Sequence, residues 1–269
     1  MIADMHVYEL GDVILMTLAR QVKDAVLSKL DQFVFSEDVQ LGDVTASFAQ
    51  WAVVGPRAAS AIATLLGIAK AALDALPEHG NMRAKWRGSP AIVTRTSDAG
   101  EPGFDIYVEA AQSDALRNAL ADARVSPVAD EVAETVRIEA GIPAFGHDMD
   151  AETIPLEAGI EQRAISFTKG CYVGQEVIVR VVHRGHGRVA RKLVGVRLDG
   201  ERVPAAATKI LSGDKEVGHV TSSTWSPALG RPIALAYVHR DFVEPGTKLT
   251  VDDAAAEVVA LPFVAPPLG

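Results

Sequence analysis

The hydrophobic pattern of this chain changes character near residue 176, and that change limits it to a fold of unlike parts. Before it, β-prone runs alternate with segments of helical period. His6–Leu10 and Asp12–Leu18 flank Gly11 and predict a hairpin. Gln21–Phe33 predicts a helix with Val22, Val26, Leu27 and Leu30 on one face. The strand predicted over Gln50–Val54 runs into Gly55-Pro56, with Pro56 opening a helix through Leu66. Ala91–Thr94 and Phe104–Val108 predict a strand pair around the glycine-bearing loop 95–103. Helices are expected over Asp114–Ala123 and from a Ser126-Pro127 start through Ala140, with Val128, Val132 and Val136 facing inward. Strands and helices in alternation make an α/β or α+β domain.

From Glu176 onward the helical period disappears. Strands are predicted over Val177–Val182, Lys192–Leu198 and Ile233–Val238, with a hairpin of Lys209–Leu211 and Glu216–Val220 turning at Gly213-Asp214. Short strands separated by Gly, Pro and Asp turns predict a small antiparallel barrel. Charge divides the chain at nearly the same place. Residues 1–160 hold 12 Lys and Arg against 24 Asp and Glu, whereas residues 161–269 hold 14 against 11. A domain boundary near the changeover follows.

Composition excludes several classes. With 48% hydrophobic and 23% charged residues in 269, the chain has the makeup of a soluble globular protein. No apolar run is long enough to cross a bilayer, and the first residues lack a basic stretch followed by an apolar core. A single cysteine forms no internal disulfide, which agrees with a reducing, cytoplasmic setting. Nor can one thiol supply a zinc or iron–sulfur site. His183 and His186 are too few for a metal site, and no carboxylate is spaced to complete one. The junction at Gly55 lacks the further glycines of a dinucleotide fingerprint. His147-Asp148 reads as a structural loop pair. The net charge of −9 argues against general nucleic-acid affinity. Against it stands one basic run, with Arg180, His183, Arg184, His186, Arg188, Arg191 and Lys192 spaced by Gly185 and Gly187. That run suits an anionic ligand, RNA or an acidic partner, or it is a solvated connection.

The cysteine itself sits in Lys169-Gly170-Cys171-Tyr172-Val173-Gly174-Gln175-Glu176. Glycines on both sides permit a tight, accessible turn, and Lys169 favours the thiolate. Cys171 is therefore a candidate reactive or ligand thiol. The alternative is a small buried hydrophobe at a domain junction.

This octapeptide, together with Arg137–Pro143 and Pro155-x-Glu157, resembles the YgfZ-type folate-binding proteins of the glycine-cleavage T-protein (aminomethyltransferase) superfamily. Gly218–Ser222, Ser226–Gly230 and Ile233–Ala236 also match, so the resemblance runs along nearly the whole chain. It implies an α+β, T-protein-like fold with two related α/β domains and a small C-terminal antiparallel β-barrel. Residues 1–60 would be the remainder of an N-terminally incomplete first domain. Residues 61–175 would be the second, ending in the cysteine motif, and 176–269 the barrel.

The resemblance further implies that tetrahydrofolate, or a one-carbon-substituted form, is bound. Gly100, Glu101 and Gly103 match the superfamily's Gly-Tyr-Thr-Gly-Glu-x-Gly segment, with Asp98 in place of its aromatic residue. Glu101 would then pair with the pterin edge, Arg137 would meet the folate, and Asp4 would face its ring. For Glu101 and Arg137 the residues alone also permit a solvated acid and a helix-face ion pair. The implied function is assembly or repair of iron–sulfur clusters in client enzymes, with folate and client or assembly proteins as partners. Cys171 and Lys169 would act, supported by Gly170, Tyr172, Gly174, Gln175 and Glu176. The alternatives are aminomethyltransferase-type one-carbon transfer to tetrahydrofolate, or a folate-dependent role in tRNA modification.

Overall fold

Strand β6 (Gly103–Glu109) shows how the first part of the chain is built. Its sequence alternates apolar and polar side chains, as in a sheet with one wet face, yet every residue from Gly103 to Val108 is buried. The computed structural model, which describes residues 1–184 and 188–265, explains why. β6 lies within a four-stranded antiparallel sheet of order β3-β6-β5-β4, where β3 is Phe48–Val54, β4 Asn81–Trp86 and β5 Ser89–Thr96. Phe104, Ile106 and Val108 join Val53, Val93 and Ala91 on one face. Helices α2 (Ala58–Leu66), α3 (Lys70–Asp74) and α4 (Ser113–Asp122) supply Ile62, Leu73 and Leu116 to the same core.

The other face carries Gln50, Thr94, Asp105 and Tyr107 and is also covered. The hairpin of β1 (Met5–Glu9) and β2 (Ile14–Leu18) lies on it, and Tyr8 is only 1% exposed. Arg83 on β4 fastens this hairpin by donating to the Leu10 carbonyl and pairing with Asp12. Helix α1 (Lys23–Asp31) follows β2, with Val26 buried. These elements form a unit spanning Met5–Ala133.

The remaining unit comprises Met1–Asp4 and Glu134–Ala265. Six strands close into an antiparallel barrel: β7 (Arg191–Leu198), β8 (Lys209–Ser212), β9 (Lys215–Ser226), β10 (Arg231–His239), β11 (Lys248–Val251) and β12 (Ala254–Val259). The order around the ring is β10-β7-β12-β11-β8-β9, and β9 pairs with β10 to close it. Val196, Ile210, Val220, Ala236 and Val251 are fully buried in its interior. Gly218 is required where β9 crosses β10, because a Cβ there would collide with the Tyr237 carbonyl. No described helix is long and apolar enough to cross a membrane.

Two helices differ from expectation. Asp130–Glu139 (α5) starts after Ser126-Pro127, with Asp130 and Glu131 in a first turn that favours acids. Val128 and Val132, expected inside, are 57% and 53% exposed. After the short helices α6 (Pro155–Ala158) and α7 (Glu161–Ala164), the run expected as a strand over Val177–Val182 is helical. Gly174, at φ +86°, precedes α8 (Gln175–Val179), which continues as a wider turn over Arg180–Arg184. Ile178, Val181 and Val182 then pack in one cluster with Leu156 and Val189. Spacings of three and four place them on one helix face, whereas a strand would split them. Of the basic run, Gly185, His186 and Gly187 lie outside the described residues, as do the side chains of His183 and Arg184 and the last four residues.

Candidate functional site

The covered polar face in residues 5–133 holds a carboxyl group with too few partners. Asp105 and Tyr107 are two apart on β6 and so share that face, and register places Gln50 of β3 opposite Tyr107 and Thr94 of β5 opposite Asp105. Asp105 is 6% exposed. Its Oδ2 accepts from Gln50 Nε2 at 2.9 Å and from Tyr107 Oη at 3.4 Å. Among the described residues no lysine or arginine lies within ion-pair distance of it. Burial, with a smaller contribution from the Asp98 charge, pushes its carboxyl up to about 6, and the two donors only partly offset this. Tyr107 is raised as well, by burial and then by Asp105 itself.

Tyr8 Oη and Thr94 Oγ1 are buried too, near each other but, among the described residues, without a well-formed hydrogen bond. Such groups usually have a partner, so a cluster of unsatisfied ones marks a place where a ligand can supply it. A cavity of about 290 Å³ borders the cluster, with Thr17, Phe48, Gln50, Ile92 and Tyr107 in its walls and the exposed Arg20 among its lining. The lining mixes apolar side chains with Thr17, Thr45, Gln50 and Tyr107 and with the cations Arg20 and Lys23, and Asp105 lies behind Gln50 and Tyr107 rather than in the wall itself. A mixed lining of this kind suits a flat, partly polar ring. Glu101 lies in the loop before β6, with carboxyl oxygen Oε2 buried and unpartnered among the described residues. Nearby, His6 stacks on His79 with ring centroids 4.7 Å apart and meets Asp98 at 3.6 Å.

The other expected folate contacts fall in the unit of residues 1–4 and 134–265, and both are already paired there. Asp4 makes a two-pronged ion pair with Arg163, at 3.2 and 2.8 Å. Arg137 is 8% exposed and uses all five of its N–H donors within the chain. Its Nε and one Nη2 hydrogen go to Glu134, and the other Nη2 hydrogen goes to Ser222 Oγ at 3.0 Å. Nη1 serves the Ile142 carbonyl and Asp148 Oδ2, the latter at 2.7 Å. Burial works against the guanidinium charge, but Glu134 and Asp148 more than restore it. Asp148 in turn accepts from the Ala144 amide and from Thr221. Arg137 thus fastens α5, the 142–148 loop and β9 together and leaves no donor for a ligand. His147-Asp148 belongs to this frame. A second clamp joins Glu157 to Arg191 Nε at 3.0 Å, with the Arg191 guanidinium 4.5 Å from the Tyr237 ring centroid.

Cys171 is exposed in an irregular segment before α8. The Lys169 ammonium lies 4.7 Å from the centroid of the Tyr172 ring, and the Tyr172 amide donates to Gln175 Oε1 at 3.3 Å. Gly170 lies in open space, and Gly174 takes the left-handed conformation that starts the helix. Glu176 stands in that helix's first turn. Phe167 and Val173, 60% and 76% exposed, flank the thiol. Among the described residues no group of histidine, cysteine and acidic side chains is arranged to hold a metal.

Sequence reading missed Asp105, because a polar residue in an alternating strand reads as solvent-facing. Its one visible signal is the Asp105-x-Tyr107 pair, which puts an acid and a phenol on the same face.

Comparison with known proteins agrees with this architecture. The GCVT N-terminal domain matches residues 1–169, and the glycine cleavage T-protein C-terminal barrel domain matches residues 191–265. The chain is 35% identical to an aminomethyltransferase of Saccharopolyspora erythraea and 34% identical to one of Streptomyces coelicolor, in each case over 97% of the chain and 72% of the relative. The crystal structure of the glycine cleavage system aminomethyltransferase T from Bartonella henselae superposes with a TM-score of 0.83 over 98% of the chain and 72% of that protein, at 23% identity. That last likeness is one of fold.

Proposed function

The chain belongs to the glycine cleavage T-protein family, and from that premise we propose that it binds a reduced folate and serves aminomethyltransferase-type one-carbon transfer. The observation that carries this reading is the under-partnered Asp105 carboxyl, held by Gln50 and Tyr107, which themselves line a cavity of about 290 Å³. A pterin edge presents adjacent N–H donors, and an ionised carboxylate accepts such a pair side by side. Asp105 would be that acceptor, with Gln50 and Tyr107 orienting it and Ile92 and Phe48 contacting the ring. Glu101, whose Oε2 is buried and unpartnered among the described residues, is the second candidate acceptor. When bound, tetrahydrofolate supplies the nitrogen atoms that accept a one-carbon unit. Relatives named aminomethyltransferase, aligned over nearly the whole chain, support the transfer class. Calorimetric titration with tetrahydrofolate, followed by an assay with an aminomethylated carrier protein, tests both halves. Saturable binding with turnover supports the reading, binding without turnover removes the transferase half, and no binding removes it entirely.

One observation favours a second reading. Cys171 is exposed between two exposed apolar side chains, in a segment whose sequence resembles that of YgfZ-type proteins. An accessible thiol of this kind supports a role in assembling or repairing iron–sulfur clusters, with folate as the cofactor. In cells lacking the protein, the wild-type chain should restore iron–sulfur enzyme activity and Cys171→Ser should not. Full rescue by the serine variant would remove this reading and leave folate binding untouched.

A further inference from the structure

The clamp between Glu157 and Arg191 is built more lightly than the one around Arg137. Among the described residues only Nε of Arg191 makes a hydrogen bond, to Glu157 at 3.0 Å, while its guanidinium lies on the Tyr237 ring. Ala236 and Val238 fill the barrel interior, so Tyr237 between them faces outward, where it is buried all the same. The Thr153 hydroxyl lies close to Tyr237 Oη without a regular hydrogen bond, and burial pushes the phenol up to about 12, which keeps it neutral. His219 is the neighbour on the far side. Strand register sets it opposite Tyr237 on β10 and opposite Lys209 on β8, with its ring centroid 6.0 Å from that of Tyr237. The strands cannot part here, because Gly218 packs directly against the Tyr237 carbonyl.

Two acids stand near this half-buried imidazole, and both are already engaged. Glu216 pairs with Lys209 at 2.6 Å, and Asp150 accepts from the Thr153 hydroxyl at 2.8 Å and the Glu152 amide at 3.0 Å. Burial and then the Arg191 charge hold the His219 imidazole below the ordinary histidine value, and Glu216 and Asp150 offset only part of this. We propose that His219 is a proton-operated release for the clamp: the neutral ring lets Arg191 bridge Tyr237 and Glu157, and protonation frees α6 and the loop before it from the barrel wall. A second cation beside a guanidinium held by one hydrogen bond is enough to tip so light a contact. The fold favours the neutral form, so this stability is complete above the unfolded-chain value and is lost as pH falls through the lower folded one. Leu156 of α6 shares a cluster with Ile178 of α8, so release also loosens the seat of the helix that follows Cys171. The proposal does not depend on what residues 5–133 bind.

Hydrogen exchange of the full chain, corrected for the intrinsic rate at each pH, provides the test. Amides of residues 148–158 should lose protection by about threefold or more between about pH 8 and about pH 5, while β7 and β10 keep theirs. His219→Gln, which stays neutral, should retain protection at both values, and Arg191→Gln should leave the segment open at both. Asp105 cannot mimic the loss, because its own contribution grows as pH falls. NMR of the His219 ring in the wild-type chain keeps the test independent of any variant's folding, since opening should follow that ring's titration. Four results overturn the proposal: protection of 148–158 that ignores pH, an equal loss in His219→Gln, full protection in Arg191→Gln, or opening that does not track the His219 ring.

Discussion

Two buried polar clusters, one in each unit, differ in a single respect. Around Arg137 every donor of the guanidinium has an acceptor, and the partner Asp148 has a fully buried side chain. Around Asp105 the carboxyl has one good donor and one long one, no cation faces it among the described residues, and Tyr8 and Thr94 are also left short. A completed network stiffens a fold and has nothing left to offer a ligand. An incomplete one carries a desolvation cost that a ligand can relieve. By that criterion the Arg137 cluster is frame and the Asp105 cluster is site, although the sequence singles out Arg137 and passes over Asp105.

The sharpest way to break this contrast is Arg137→Met. It strands the Asp148 carboxylate in the interior, so urea unfolding should show a loss of roughly 3–5 kcal/mol. A loss under 1 kcal/mol would mean that the cluster is not frame.

Asp105→Asn should do the reverse. The folded-state value of about 6 lies above the ordinary 3.8, so the protonated carboxyl is favoured in the fold. The associated stability is fully present below about pH 4 and is lost as pH rises through about 6. Asparagine avoids that loss. The variant should therefore match the wild type near pH 4 and exceed it by on the order of 2–3 kcal/mol above pH 7, while folate affinity falls. Equal stability at both pH values would show that Asp105 carries no such burden.

Smaller effects refine the picture. Tyr107→Phe removes the 3.4 Å donor, so the Asp105 titration should move further up by about half a unit. Carboxyl-resolved NMR would read the shift, and a downward movement would contradict the assigned hydrogen bond. Cys171→Ser should leave stability within about 0.5 kcal/mol of wild type, because the thiol is exposed. Thermal melting checks that value, and a large loss would show the side chain to be packed.

Much of the frame could be read from residues alone, and the reasons are local. The strands over Ala91–Thr94 and Phe104–Val108, the Gly213-Asp214 hairpin and the barrel strands Lys192–Leu198 and Ile233–Val238 follow from period-two patterning bounded by turn residues. Val177–Val182 misleads because its β-branched content suggests a strand, while the spacing of Ile178, Val181 and Val182 fits the helix that forms. The site was harder to see. That Gln50 meets Asp105, 55 residues away, depends on strand register, and the covering of β6 on both faces depends on where the β1–β2 hairpin lies. Arg137 shows the same difficulty from the other side. Its partners Asp148 and Ser222 are 11 and 85 residues distant, so no local pattern reveals that its donors are spent.

The most direct measurement is a carboxyl-resolved NMR titration of Asp105 in the intact chain, run without and with tetrahydrofolate. The expected midpoint is about 6 in the free protein, falling clearly once the ligand's N–H donors engage the ionised group. An ordinary carboxylate midpoint without ligand, or one that does not move when folate is bound, would contradict the assignment of this cluster as the binding site.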